Sequence, residues 1–253
     1  MINRIKNYNK IDFYMISYPK CGRTWLRSIL GNYFRNIFNV IGENIFDYDI
    51  EKLNSLNSNI PFIKSDHVNS SWKKHYSQIK FPIKYIIKPK IIILRDPRDT
   101  IVSLYYHRFY RNKDYFKNIS EFIREENGGI ETLLNFQEEL MRINGKKIII
   151  SYESLRNNSL ETVSNLLNFL KIKTDKNILI KSIELNEFDK QKKKQLVNKY
   201  KMDKVIGSND PNPNSQKVRK GLIGGYVNEL NSKDIEYINM KLKGCSKLST
   251  IYK

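Results

Sequence analysis

With 253 residues, 40% of them hydrophobic and 28% charged, the chain can bury a substantial core, which excludes an intrinsically disordered protein. Its formal net charge of +19 points to anionic partners: a nucleotide, a nucleic acid, a sulfated or carboxylated glycan, or an acidic membrane surface. Only two cysteines are present, Cys21 and Cys245, so neither a disulfide framework nor a cysteine-based zinc site fits.

The N-terminal MINRIKNYNKIDF lacks the apolar run of a signal peptide, and no later stretch approaches bilayer-spanning length. The expectation is a cytoplasmic protein in a reducing compartment. Lysine, asparagine and isoleucine are abundant throughout, so part of the charge decorates solvated faces. The positions of individual cations therefore matter more than their sum.

From Ile11, IDFYMIS is a β-branched and aromatic run that predicts a buried strand, followed by a tight turn over Tyr18 to Arg23. A helix follows, with Thr24 as its expected N-cap and Leu26, Ile29, Leu30, Tyr33 and Phe34 on one face between Trp25 and Val40. Gly22 admits a backbone conformation closed to other residues, and the first helical N–H groups point unpaired into the turn. Such a turn is an anion nest, and Lys20 and Arg23 add mobile charge to it, so its natural guest is a phosphate-like group. The lysine precedes the only glycine of the turn, unlike a Walker loop, which argues against an ordinary ATPase.

Residues Ile41 to Asn59 are polar and weakly periodic, and are expected to form short helical turns and loop. Ile60 to Ser65 reads as a second strand, running into Asp66, His67, Val68 and Asn69. Tyr85 to Leu94 ends in IIIL, the most strand-like stretch of the chain, followed at once by Arg95-Asp96-Pro97-Arg98-Asp99. Pro97 suits a first helical turn, continued by Thr100 to Tyr110. Helices are expected over Ile119 to Glu126 and Ile130 to Ile143, a fourth strand over Lys147 to Tyr152, and helices over Leu160 to Leu170 and Asn177 to Leu185. Strands alternate with helices, so the fold class is α/β with a mainly parallel sheet.

Beyond Lys190 come a basic helical run, QKKKQLVNKYKMDK, and a turn-rich segment from Gly207 to Gln216. The run Val218-Arg219-Lys220-Gly221-Leu222-Ile223-Gly224-Gly225 follows, with a closing helix over Lys233 to Leu242. No internal repeat and no second domain are evident, so one domain over residues 1–253 is expected. In a parallel sheet the C-terminal strand ends share one edge, where Lys20, His67 and Arg95 are expected to meet. One ligand with two separated anionic groups would satisfy both the nest and the Arg95 region, and Ser103 could add a hydroxyl to the second group.

The turn Tyr18-Pro19-Lys20-Cys21-Gly22-Arg23-Thr24-Trp25 resembles the 5′-phosphosulfate loop of the sulfotransferases, usually written YPKSGTTW. Arg95 through Ser103 resembles their 3′-phosphate motif, and Arg219 to Gly225 their RKGxxGD element. Tyr152-Glu153 matches a family position near the adenine. The resemblance spans nearly the whole chain and implies a P-loop-like architecture. It implies as donor 3′-phosphoadenosine 5′-phosphosulfate (PAPS), used without a metal. Lys20, Cys21, Gly22, Arg23 and Thr24 would surround the 5′-phosphosulfate. Arg95, Ser103, Arg219, Lys220 and Gly221 would hold the 3′-phosphate, and Trp25 and Tyr152 would contact the adenine.

The sequence departs from the family pattern at Cys21 in place of serine, Arg23 in place of threonine and Gly225 in place of aspartate. The dimerisation motif KxxxTVxxxE is not visible after Val227, so no oligomeric state carries over.

Sulfuryl transfer asks for in-line placement of the reactants and stabilisation of charge on the leaving phosphate, for which Lys20 is the candidate. The family's base is often the histidine of a K-T-H sequence, where this chain reads Lys64-Ser65-Asp66-His67. Counting from Lys64 puts the base at Asp66. Imidazole titrates nearer neutrality, which favours His67. Two alternatives stand beside this reading: a nucleic-acid-binding protein using the basic run beyond Lys190, and a nucleotide kinase. The acceptor is a hydroxyl or amine of unidentified nature, and the positive charge leans towards a carbohydrate or another anionic molecule.

Overall fold

The computed structural model describes residues 10–41, 45–68, 74–196, 210 and 212–252. In chain order the strands and first helices are β1 (Phe13–Ser17), α1 (Arg23–Ile37), α2 (Ile50–Leu56), β2 (Ile63–Asp66), α3 (Lys84–Ile87) and β3 (Lys90–Leu94). Then come α4 (Pro97–Tyr106), a π-helical turn (His107–Asn112), α5 (Ile119–Ile123), α6 (Ile130–Arg142) and β4 (Lys147–Ser151). The chain continues through α7 (Tyr152–Asn157), α8 (Ser159–Phe169), α9 (Lys176–Glu184), α10 (Phe188–Leu196), α11 (Ser232–Lys243) and α12 (Leu248–Ile251). Asn69, the basic run from residue 197 onward and the start of the turn-rich segment lie outside the described residues. No described helix is long and apolar enough to cross a membrane.

The chain divides into two compact units. The first contains all four described strands, paired in parallel in the order β2-β1-β3-β4. Ile16 pairs with Asp66, Ser17 with Ile93 and Leu94 with Ser151, so the strands end along one edge. β3 is a strongly hydrophobic stretch because it is one of the two inner strands: Ile91, Ile92 and Ile93 are fully buried, whereas Ile149 of the edge strand β4 is 40% exposed. On α1 the predicted face is buried, with Leu26, Ile29, Leu30, Tyr33 and Phe34 inaccessible to solvent. Each such side chain contributes about 1.5–3 kcal/mol through removal from water. Tyr33 also donates its hydroxyl to the Lys173 carbonyl at 2.9 Å, fixing α1 to the segment before α9.

The second unit contains α4, the π-helical turn, α5, α10, α11 and α12. The chain enters it directly from β3, at Arg95. Asp96 caps α4 by accepting from the Arg98 N–H at 2.8 Å, and Pro97 occupies the first turn as expected. The same carboxylate takes three further bonds from the Arg98 guanidinium, at 3.0 and 3.2 Å from Nε and 2.7 Å from Nη2. Glu138, on α6, accepts from the backbone N–H groups of Lys247 and Leu248 and so holds the start of α12.

Several boundaries differ from the sequence reading. Asp66 is the last residue of β2, not a loop residue beyond it. Tyr152 opens α7, capped by Ser151, and is not the end of β4. Tyr85 lies in α3, ahead of the strand. The helix begun at Pro97 ends at Tyr106 and passes into the π-helical turn.

Candidate active site

In the first unit, α1 begins at Arg23, and its N-cap is Gly22 at φ 90°, not Thr24. No side chain caps it and its first turn holds no acidic residue. Lys20 also has a left-handed backbone, at φ 73°. Two such residues flank Cys21 directly ahead of the positive end of a 15-residue helix. A Cβ at Gly22 would stand 2.8 Å from Cδ2 of Tyr152, so glycine is required there by space as well as by φ. Trp25 lies 5.7 Å from the Tyr152 ring, and its indole donates to the Asn186 carbonyl at 2.7 Å. Cys21 is buried, with its thiol 4.0 Å from the Pro19 carbonyl.

Arg23 reaches from the start of α1 to the end of β2. Its guanidinium donates to the Asp66 carbonyl and to Nε2 of His67. Desolvation, with repulsion from Arg27, lowers the Arg23 pKa to about 10. The Asp66 carboxylate accepts from Tyr85 Oη at 2.5 Å, the Val68 N–H at 2.7 Å and Lys84 Nζ at 3.1 Å. Burial alone would raise its pKa, but those three bonds outweigh the burial and hold it below the usual carboxylate range. Lys64 pairs with Glu51 at 2.7 Å.

In the second unit, Arg95 is 8% exposed and donates through Nη2 to the Leu222 carbonyl at 3.2 Å. Its own carbonyl accepts from Gln137 Nε2 at 3.1 Å. The glycine-rich run of which Leu222 is part is pinned a second time, because the Asp99 carboxylate accepts from the N–H groups of Gly224 at 2.8 Å and Tyr226 at 3.0 Å. A Cβ at Gly225 would stand 3.1 Å from Cβ of Leu222, and nothing in the structure explains the departure from the family's aspartate there. Gly221 has φ 62° and abuts the Phe188 ring. Ser103 is half-buried on α4.

Arg219 and Lys220 meet Glu229, at 2.8 Å and 2.5 Å. The same carboxylate accepts from Tyr106 Oη at 2.6 Å, and the Arg219 guanidinium lies 3.8 Å from the centre of the Tyr106 ring. Burial opposes ionisation of Glu229, yet bonds from Lys220, Tyr106 and Arg219 hold its pKa down at about 2. The sequence reading missed Asp99, Tyr106 and Glu229. Asp99 could have been found as the last residue of the charged run after β3, whereas Glu229 carries no local signal.

Among the predicted residues of the first unit, the structure brings together Gly22, Trp25 and Tyr152, and separately Arg23, Asp66 and His67. In the second it joins Arg95 to the glycine-rich run and Arg219 to Lys220 through Glu229.

Residues 10–250 match the family profile described as "Sulfotransferase domain". Cytosolic sulfotransferase 17 of Arabidopsis thaliana is 25% identical over 278 residues, covering 94% of this chain and 76% of that protein. Two solved structures share the fold. Mouse sulfotransferase SULT7A1 complexed with PAP has a TM-score of 0.63 at 18% identity, covering 96% of this chain and 86% of its own. Retinol dehydratase with androsterone and the inactive cofactor PAP has a TM-score of 0.64 at 16% identity, covering 95% and 83%.

Proposed function

The chain belongs to the sulfotransferase family, and from that premise we propose that it moves the sulfuryl group of PAPS to a hydroxyl or amine of its acceptor, using Lys20, Arg23 and the N-terminus of α1 at the transferring group. The donor supplies an activated sulfuryl group whose departure leaves charge on the 5′-phosphate. The observation that carries the reading is the uncapped start of α1 behind two left-handed residues, a cradle with donors and no competing carboxylate in the first turn. Lys20 stabilises the charge developing on the leaving phosphate. Arg95, Ser103, Arg219, Lys220 and Gly221 receive the 3′-phosphate, and Trp25 and Tyr152 flank the adenine.

His67 takes the acceptor's proton. Asp66 is the poorer base because its carboxylate already accepts three bonds and is held ionised. The acceptor is a small molecule, in line with the androsterone held by retinol dehydratase. The name of the Arabidopsis relative supports placement in the cytosol.

The test is calorimetric titration with adenosine 3′,5′-bisphosphate (PAP) and with adenosine 5′-monophosphate, chelator present. Each charge-assisted contact contributes about 1.5–3 kcal/mol, so the 3′-phosphate should bring a preference of at least about a hundredfold. Arg95→Ala should erase that preference and leave the monophosphate affinity nearly unchanged. Equal affinities in the wild-type protein would overturn the reading.

A further inference from the structure

Arg23 and His67 are each singled out by the sequence, and the structure joins them. A guanidinium nitrogen is always a donor, so Nε2 of His67 is the acceptor in this contact and the imidazole is the neutral tautomer with its proton on Nδ1. In that arrangement the ring has no lone pair to offer an acceptor hydroxyl: Nε2 faces Arg23 and Nδ1 carries hydrogen. The second guanidinium arm holds the Asp66 carbonyl, and the Asp66 side chain is itself fixed by Tyr85, Lys84 and the Val68 N–H. The segment carrying His67 is thus anchored through Asp66 independently of the arginine arm that reaches Nε2.

Arg23 is also the first residue of α1, directly after Gly22, where the helix N–H groups converge. A phosphate or phosphosulfate seated there is a far stronger partner for a guanidinium than a neutral imidazole, because both members of the pair are charged. We propose that Arg23 is a positioning residue that couples donor binding to the base: its guanidinium covers Nε2 of His67, and a 5′-phosphate seated in the α1 cradle draws it away and exposes that lone pair. Proton abstraction is then available only after the donor has bound. This rests on His67 being the base.

The protein has three histidines, so nitrogen-15 spectra of histidine-labelled enzyme, assigned with His67→Gln, follow Nε2 of His67 directly. The spectra are recorded at about pH 8.5, above the ordinary histidine range, so that they report hydrogen bonding. Saturation with PAP should move the Nε2 resonance towards that of an unbonded lone pair. Adenosine 3′-monophosphate, which lacks the 5′-phosphate, should leave it in place. Arg23→Gln should show the PAP-saturated position with no ligand. PAP binding by calorimetry with an unmoved resonance overturns the coupling and leaves the proposed function standing; equal movement with adenosine 3′-monophosphate also overturns it. Failure of PAP to bind at all overturns both. The wild-type comparison is decisive even if Arg23→Gln does not fold.

Discussion

At Lys20 a bulky residue is held at φ 73°, a conformation that costs about 1 kcal/mol or more outside glycine. The surrounding turn sustains it, and the lysine that results is anchored beside the helix N-terminus. Lys20→Ala should lower turnover about 100- to 1000-fold, the loss expected for one electrostatic donor at the transition state, with a smaller change in PAP affinity. Gly22→Ala should destabilise the fold by about 1–3 kcal/mol in urea unfolding, since its Cβ meets the Tyr152 ring at 2.8 Å and φ is 90°. The turn from β1 into α1 was legible because Pro19, Lys20, Gly22 and Arg23 fall in one short stretch. The cap was not: hydroxyl preference at N-caps points to Thr24, whereas the helix begins at Arg23, behind the left-handed Gly22 and with no side-chain cap. The Arg23–His67 contact was equally hidden, because it joins residues 44 positions apart in sequence.

Among elements, the strands and the long helices were read with little error, since their periodicity reflects burial against one sheet. Errors gathered where one element hands over to the next. Tyr152 has a strand-like side chain, yet the Ser151 hydroxyl accepts from the Ser154 N–H and turns the backbone into α7 one residue early. The second-unit loop from Gly221 to Tyr226 shows a handover fixed from outside: Asp99, at the start of α4, satisfies two of its N–H groups, and Arg95 donates to Leu222. Asp99→Ala removes an acceptor shared by two backbone donors, so a loss of about 1–3 kcal/mol in stability is expected. PAP affinity should fall with it while adenosine 5′-monophosphate affinity holds, which calorimetry on the two nucleotides would separate.

For the whole chain, the parallel sheet was legible from alternation, but the order β2-β1-β3-β4 was not, because strand order depends on long-range pairing that no local pattern encodes. Charge is a property of the same scale. A chain already at +19 becomes more positive in acid as its carboxylates take up protons, so acid stability depends on the carboxylates that the folded state keeps ionised. Glu229 is the clearest of these, held at about 2 against an ordinary value near 4.5, and Asp66 is lowered in the same direction. A carboxyl whose folded pKa lies below its unfolded one contributes stability that is complete above the unfolded value and lost as pH falls through the folded value. For Glu229 the window therefore runs from about pH 4.5 down to about pH 2. Glu229→Gln cannot titrate, so the slope of unfolding free energy against pH should be shallower in that window than in the wild-type protein, while the two slopes coincide above about pH 5. Urea unfolding at a series of pH values measures both, and parallel slopes down to pH 2 would show that Glu229 is not held ionised by Arg219, Lys220 and Tyr106.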